Sequence, residues 1–206
     1  EKEPADVIVS DVKMPDMDGI EMLRKIRETN PDLSVIFMSG FASVETAREA
    51  FKLGAHDIVT KPFDVEELKI IVQRAIETQA LIDEMVAHAR EDLPNECCGM
   101  IGGRDGEATS VVRVENAAES PLRYEMDPQG QYDALKQIED AGGELLAIYH
   151  SHTKSAAYPS QTDVNQAVNW PDAIYLIVSL QEPDKPEVKG YWLKDLKIAD
   201  AELVVE

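Results

Sequence analysis

Apolar positions fall into two rhythms along the chain. Up to about residue 78, apolar runs of strand length alternate with segments whose apolar residues recur at helical spacing. Val7-Ile8-Val9 runs toward Asp11, a turn occupies residues 14–19, and Ile20, Met22, Leu23 and Ile26 then mark one face of a helix. Val35-Ile36-Phe37-Met38 reads as a second, buried strand ending in Ser39-Gly40. A helix from about Val44 to Leu53 stops at Gly54, a residue suited to the left-handed position after a helix end. Ile58-Val59-Thr60 is a third strand, followed by Lys61-Pro62. Glu66 to Arg90 reads as helical throughout, with Leu68, Ile71, Val72, Ala75 and Ile76 on one face. Such alternation implies parallel strands joined by crossover helices.

The second rhythm is richer in strands. Cys97 to Ile101 reads as a buried strand ended by Gly102-Gly103, and Ser110 to Val114 alternates. Tyr132, Leu135 and Ile138 define an amphipathic helix over Gln129 to Ala141. Leu145 to Tyr149 is a wholly apolar strand running into His150, and Ile174 to Val178 is another. Val188 to Leu193 and Ile198 to Val205 complete a sheet. The rhythm changes inside the long helix, which divides the chain into residues 1–78 and 79–206 with a helical, stiff join. The overall class is α/β.

Charge narrows the function. The 206 residues carry 20 Lys+Arg against 40 Asp+Glu, a formal net charge of -20. The first segment holds 10 basic and 16 acidic residues, the second 10 and 24. Such a polyanion is poorly suited to nucleic acid or an anionic membrane surface. No apolar run approaches the ~20 residues of a membrane span, and no signal peptide opens the chain. The two cysteines, Cys97 and Cys98, are neighbours, which excludes a disulfide framework and points to a reducing, cytoplasmic setting. Strand alternation sends them to opposite faces, so they are expected to pack. His56 and His88 are expected at the surface or in packing. Tyr158, Trp170 and Trp192 are candidate groove residues, Tyr158 foremost.

The chemistry concentrates at His150-Ser151-His152. Strand geometry points residues i and i+2 to the same face, so the two imidazoles share a side. Ser160 can N-cap a helix, which places Asp163 in its first turn, near that strand end. Two histidines and one carboxylate leave one tetrahedral position open, the form of a catalytic rather than a structural zinc site.

The spacing His-Ser-His, seven residues, Ser, two residues, Asp resembles the JAMM motif of the JAMM/MPN metalloproteases (peptidase family M67). The resemblance spans nearly the whole of residues 80–206 and implies an α+β, cytidine-deaminase-like domain over 79–206. It also implies one Zn²⁺ per chain held by His150, His152 and Asp163. Glu96, ahead of the Cys97 strand, matches the family's general base, and Ser160 its oxyanion-holding serine. The run Tyr124-Glu125-Met126-Asp127-Pro128 resembles the compact bacterial, Mec-like subgroup. The implied substrate is the C-terminal tail of a ubiquitin-like or sulfur-carrier protein. Thr153 departs from the family, where proline usually follows the second histidine. No long insertion separates Asp163 from the Ile174 strand, which argues against polyubiquitin specificity.

Residues 9–19, Val-Ser-Asp-Val-Lys-Met-Pro-Asp-Met-Asp-Gly, resemble the core of a response-regulator receiver, a doubly wound fold. By that resemblance Asp11 is the phospho-acceptor, contacted through its phosphoryl group by Ser39 and Lys61. Only about three-fifths of that fold is present. The acidic pair that holds Mg²⁺ is missing, and the expected switch aromatic is Ile58. The non-Met start at Glu1 favours truncation. Mg²⁺ and a histidine-kinase partner are therefore expected only for an intact receiver. A small phosphodonor with Mg²⁺ is expected to leave the mass of this chain unchanged. The uncovered sheet edge invites self-association into a homo-oligomer. Two other readings stay open: a non-catalytic MPN-type binding module, and a response regulator whose output is the hydrolase.

Overall fold

The computed structural model describes residues 5–15, 17–30, 33–40 and 43–201. They divide into two compact units, one running to Ala80 and the other starting at Leu81.

The first unit is built as the alternation implies. Strands β1 (Val7–Asp11), β2 (Ser34–Ser39) and β3 (Asp57–Thr60) form a parallel sheet in that order. Helices α1 (Gly19–Thr29), α2 (Val44–Lys52) and α3 (Val65–Glu91) follow the strands. Val35 and Phe37 pack with Ile20, Leu23 and Ala50, while Ile36 between them packs with Val59 and Ala75 of α3. Both faces are covered, which is why β2 is apolar at every position from Val35 to Met38. The helix starts are specified locally. Asp18 Oδ1 accepts the Ile20 N–H at 2.8 Å, and Ser43 Oγ accepts that of Thr46 at 3.1 Å. Gly54 has a φ of +78°, so its glycine relieves the strain an L side chain would meet at that helix end.

In the second unit, β4 (Cys98–Arg104), β5 (Glu107–Val114), β6 (Glu144–His152), β7 (Ile174–Ser179), β8 (Glu187–Lys194) and β9 (Lys197–Ala201) form one sheet. Its order is β5-β4-β6-β7-β8-β9, with β6 and β7 parallel and the other pairs antiparallel. Residues 202–205 of the expected last strand lie outside the described residues. One face packs on the end of α3 through Met85, Val86 and Ala89. The other carries α4 (Pro128–Asp140) and the short α5 (Gln161–Gln166). Cys97 and Cys98 are fully buried, unpaired and assigned to opposite faces, each in a different apolar cluster. Burial pushes both thiols up, that of Cys97 to about 12, which keeps them inert as nucleophiles or ligands. A Cβ at Gly99 would land on the Tyr149 ring and the Val112 carbonyl, so the strand admits only glycine there. His88 is a packing residue: it is buried, with Nδ1 2.7 Å from the Tyr149 hydroxyl and Nε2 3.4 Å from Asp92. No helix among the described residues is long and apolar enough to cross a membrane.

Candidate metal centre

The last three residues of β6 are His150, Ser151 and His152. The pleat turns Ser151 away from the two histidines, and its backbone and hydroxyl bond to Cys97: Ser151 N–H to the Cys97 carbonyl at 3.0 Å, Cys97 N–H to Ser151 Oγ at 2.8 Å. The histidines converge, Nε2 to Nε2 at 3.2 Å. Ser160 caps α5 by accepting the Asp163 N–H at 3.2 Å, and Asp163 Oδ2 accepts the Ser160 N–H at 2.6 Å. This reciprocal capping box fixes the Asp163 carboxylate in the first turn. Asp163 Oδ1 lies 3.4 Å from His150 Nε2, and Oδ2 lies 3.5 Å from His152 Nε2.

Those separations decide whether a metal fits. Ligand atoms ~2.0–2.1 Å from a zinc ion at tetrahedral angles lie about 3.3–3.4 Å from one another. The separations observed, 3.2 Å between the two Nε2 atoms, 3.4 Å from His150 to Oδ1 and 3.5 Å from His152 to Oδ2, are of that size, with one carboxylate oxygen facing each histidine. Tautomer agrees for one histidine. His152 Nδ1 sits 3.0 Å from the Ala156 carbonyl, which only accepts, so Nδ1 carries a proton, and in the neutral ring the Nε2 lone pair faces the centre. Among the described residues, His150, His152 and Asp163 are the only cluster of three such side chains with ligand atoms this close together, and all three are buried.

The electrostatics are those of a buried acid between two imidazoles. Burial alone would push Asp163 up, but hydrogen bonds from His150, His152 and Ser160, with the His150 charge, outweigh it and hold the carboxyl well below the usual range. Burial lowers His150, opposed by Asp163. His152 is raised, because Asp163, the Ala156 carbonyl and Glu96 overcome its burial.

Glu96 is 5% exposed, just ahead of β4. Burial raises its carboxyl to about 7, with His152 opposing and Asp163 adding to the rise. A carboxyl tuned to neutrality is suited to taking and returning a proton. Its backbone is fixed at both ends: its N–H donates to the Ser120 carbonyl at 2.9 Å, and its carbonyl accepts from Asn116 Nδ2 at 2.8 Å.

Sequence reasoning passed over Asn116 as a site residue and used Tyr124 only as a subgroup marker. Asn116 Nδ2 also reaches the Arg123 carbonyl at 3.3 Å, and its Oδ1 accepts the N–H groups of Ala118 and Glu125. One amide thus ties Glu96 to both neighbours of Tyr124. The Tyr124 ring stacks on His150, centroids 4.5 Å apart and planes at 22°. Thr153 is buried, and its hydroxyl donates to the Pro121 carbonyl at 3.2 Å, a tie a proline could not make. Tyr158 is 57% exposed beside Tyr191, Trp192 is partly exposed and Trp170 half-buried.

In the first unit Asp11, Ser39 and Lys61 come together at the C-terminal ends of the parallel strands. Lys61 Nζ pairs with Asp11 Oδ1, and the Lys61 N–H donates to the Ser39 carbonyl at 2.7 Å.

Comparison with known proteins agrees with both halves. Residues 78–194 match the family of prokaryotic homologues of the JAB domain, and residues 1–73 match the response regulator receiver domain. The CysO-cysteine peptidase of Mycobacterium tuberculosis is 41% identical over 117 residues, 56% of this chain and 80% of that protein. The desampylase of Haloferax volcanii is 39% identical over 121 residues, 55% of this chain and 84% of that protein. The solution structure of protein DSY2949 from Desulfitobacterium hafniense superposes with a TM-score of 0.56 at 38% identity, covering 62% of this chain and 89% of that one. The chain belongs to the prokaryotic JAB (JAMM/MPN) domain family, and in it that domain follows response regulator receiver sequence.

Proposed function

We propose that residues 79–206 form a zinc-dependent hydrolase that cleaves a peptide or isopeptide bond at the C-terminus of a ubiquitin-like or sulfur-carrier protein. The observation that carries the reading is the convergence of the buried His150, His152 and Asp163 ligand atoms, together with a Glu96 carboxyl that burial raises to about 7. The names of the two relatives, a CysO-cysteine peptidase and a desampylase, support a hydrolase and this substrate class.

In this reading His150, His152 and Asp163 hold the zinc. Zinc, when bound, supplies a Lewis acid and lowers the pKa of water toward ~7. Glu96 takes a proton from the attacking water and returns it to the departing amine. The Ser160 oxygen already accepts from the Asp163 N–H, so its own O–H is left to donate to the developing oxyanion. Asn116 holds the Glu96 backbone in place while the proton moves. For the first unit the parallel reading is phospho-acceptance at Asp11, supported by its pairing with Lys61, in a chain that carries the Mg²⁺-holding acids.

The test is turnover of a sulfur-carrier protein bearing a C-terminal aminoacyl adduct. Glu96→Gln is expected to lower kcat by about 10²–10⁴-fold while zinc stays at one per chain. Undiminished cleavage by that variant overturns the mechanism. A wild-type chain that binds no zinc returns the protein to the class of non-catalytic binding modules.

A further inference from the structure

The two histidines of the centre are held by different means. The His152 ring is fixed through its far nitrogen, with Nδ1 donating to the Ala156 carbonyl. That is the usual device: a metal-binding imidazole donates its other N–H to a carbonyl or carboxylate, which sets ring orientation and tautomer. His150 lacks it. Its ring is fully buried, and Nδ1 has no hydrogen-bond partner. A partial rotation about the ring bond would tilt the plane and aim the Nε2 lone pair away from the centre, so something else must fix that plane.

The Tyr124 ring lies in the right place to do so. It stacks on the imidazole at 4.5 Å and 22°, a parallel face contact, and is itself buried. Tyr124 cannot easily move away. Its carbonyl accepts from Gln166 Nε2 at 3.3 Å, and the Asn116 amide grips the Arg123 carbonyl on one side and the Glu125 N–H on the other. Aromatic pairs have a preferred relative geometry, and here that preference acts on a ring with no polar anchor outside the centre.

We propose that Tyr124 is a positioning residue of the metal centre: its ring fixes the plane of His150 by stacking, as the Ala156 carbonyl fixes His152 by hydrogen bonding. The inference rests on the reading that His150, His152 and Asp163 bind zinc. The phenol hydroxyl has no part in it, so the flat face is what matters.

The test uses the whole chain with zinc or cobalt(II) as the probe. Zinc affinity is measured by competition with a chromophoric chelator, and the ligand field by the visible spectrum of the cobalt-loaded protein. Tyr124→Phe is expected to keep the affinity within about twofold and the cobalt spectrum unchanged. Tyr124→Leu is expected to weaken zinc by about 10–100-fold, the usual cost of losing a group that orients a ligand, and to alter the cobalt bands. If Tyr124→Leu does not fold, Tyr124→Met, which fills the space without a flat face, is read in the same way. Wild-type affinity and spectrum in the folded Leu or Met variant overturn the proposal. So does an equal loss in Tyr124→Phe, which assigns the effect to the hydroxyl. Failure of the wild-type chain to bind either ion overturns the zinc reading instead.

Discussion

Each unit gathers its candidate site residues at the C-terminal end of strands, yet the two clusters differ in their exposure to water. The Asp11 and Lys61 side chains are 43% and 42% exposed, whereas those of His150 and Asp163 are 0% and 5% exposed. An exposed pair is screened by water and contributes little, typically 0–1 kcal/mol. The buried cluster lies where a charge is costly unless partnered, and its groups move far from their ordinary protonation behaviour. Strand topology places the titratable groups, and burial decides how far they are shifted.

The sharpest way to break this contrast is to remove a ligand. His152→Ala is expected to lose zinc binding and to reduce hydrolysis to background, while the thermal transition of the first unit stays where it was. Metal analysis and turnover check both. A variant that retains full zinc and full activity excludes His152 as a ligand.

Next in size is the pH dependence of the metal-free protein. Glu96 is raised to about 7 in the fold, against 4.5 ordinarily. Below pH ~4.5 both folded and unfolded chains are protonated there and the group contributes no difference. Between ~4.5 and ~7 the unfolded chain releases the proton while the folded chain keeps it, so this group's contribution falls as pH rises, then levels off. The total is about 3 kcal/mol at most. Urea unfolding of chelator-treated wild type and Glu96→Gln across pH 4–8 isolates it: the variant gains relative stability with rising pH. A constant difference between the two refutes the burial-driven rise.

Gly99→Ala tests the packing beneath the centre. The added methyl meets the Tyr149 ring and the Val112 carbonyl, and overpacking of this kind costs ~1–3 kcal/mol. The second unit is expected to unfold at lower urea, with the first unit unaffected. The smallest effect belongs to the exposed pair. Lys61→Ala is expected to change stability by less than ~1 kcal/mol and to leave hydrolysis unchanged. A larger loss would mean that the pair is less screened than its exposure implies.

Much of the fold was legible because its signals are local. The wholly apolar run in β2 implied a strand covered on both faces, and α1 with α2 lies on one face and α3 on the other. The alternation at Cys97 and Cys98 implied packing on opposite faces, and each lies in a different cluster. His150 and His152 were readable as a one-sided pair because a pleated strand repeats every two residues. Ser160 and Asp163 were readable as a capped first turn because that hydrogen-bond pair closes within four residues. The half of α3 that belongs to the second unit was less legible. Its apolar residues continue the helical period, and nothing local says that Met85, Val86 and Ala89 pack on a different sheet from Ala75.

The sequence alone therefore determined the order of elements, the alternation of faces and the spacing that lets the His150, His152 and Asp163 side chains meet near one strand end. These depend on backbone periodicity over a few residues, which any reader of the chain can count. Only the tertiary structure decided the depth at which Glu96 lies, the stacking of Tyr124 on His150 and the Asn116 amide that links them. Asn116 and Glu96 are twenty residues apart and Tyr124 and His150 twenty-six, separations at which no period relates one side chain to another, and these contacts exist only once the sheet, loop and helix have closed around the same buried space.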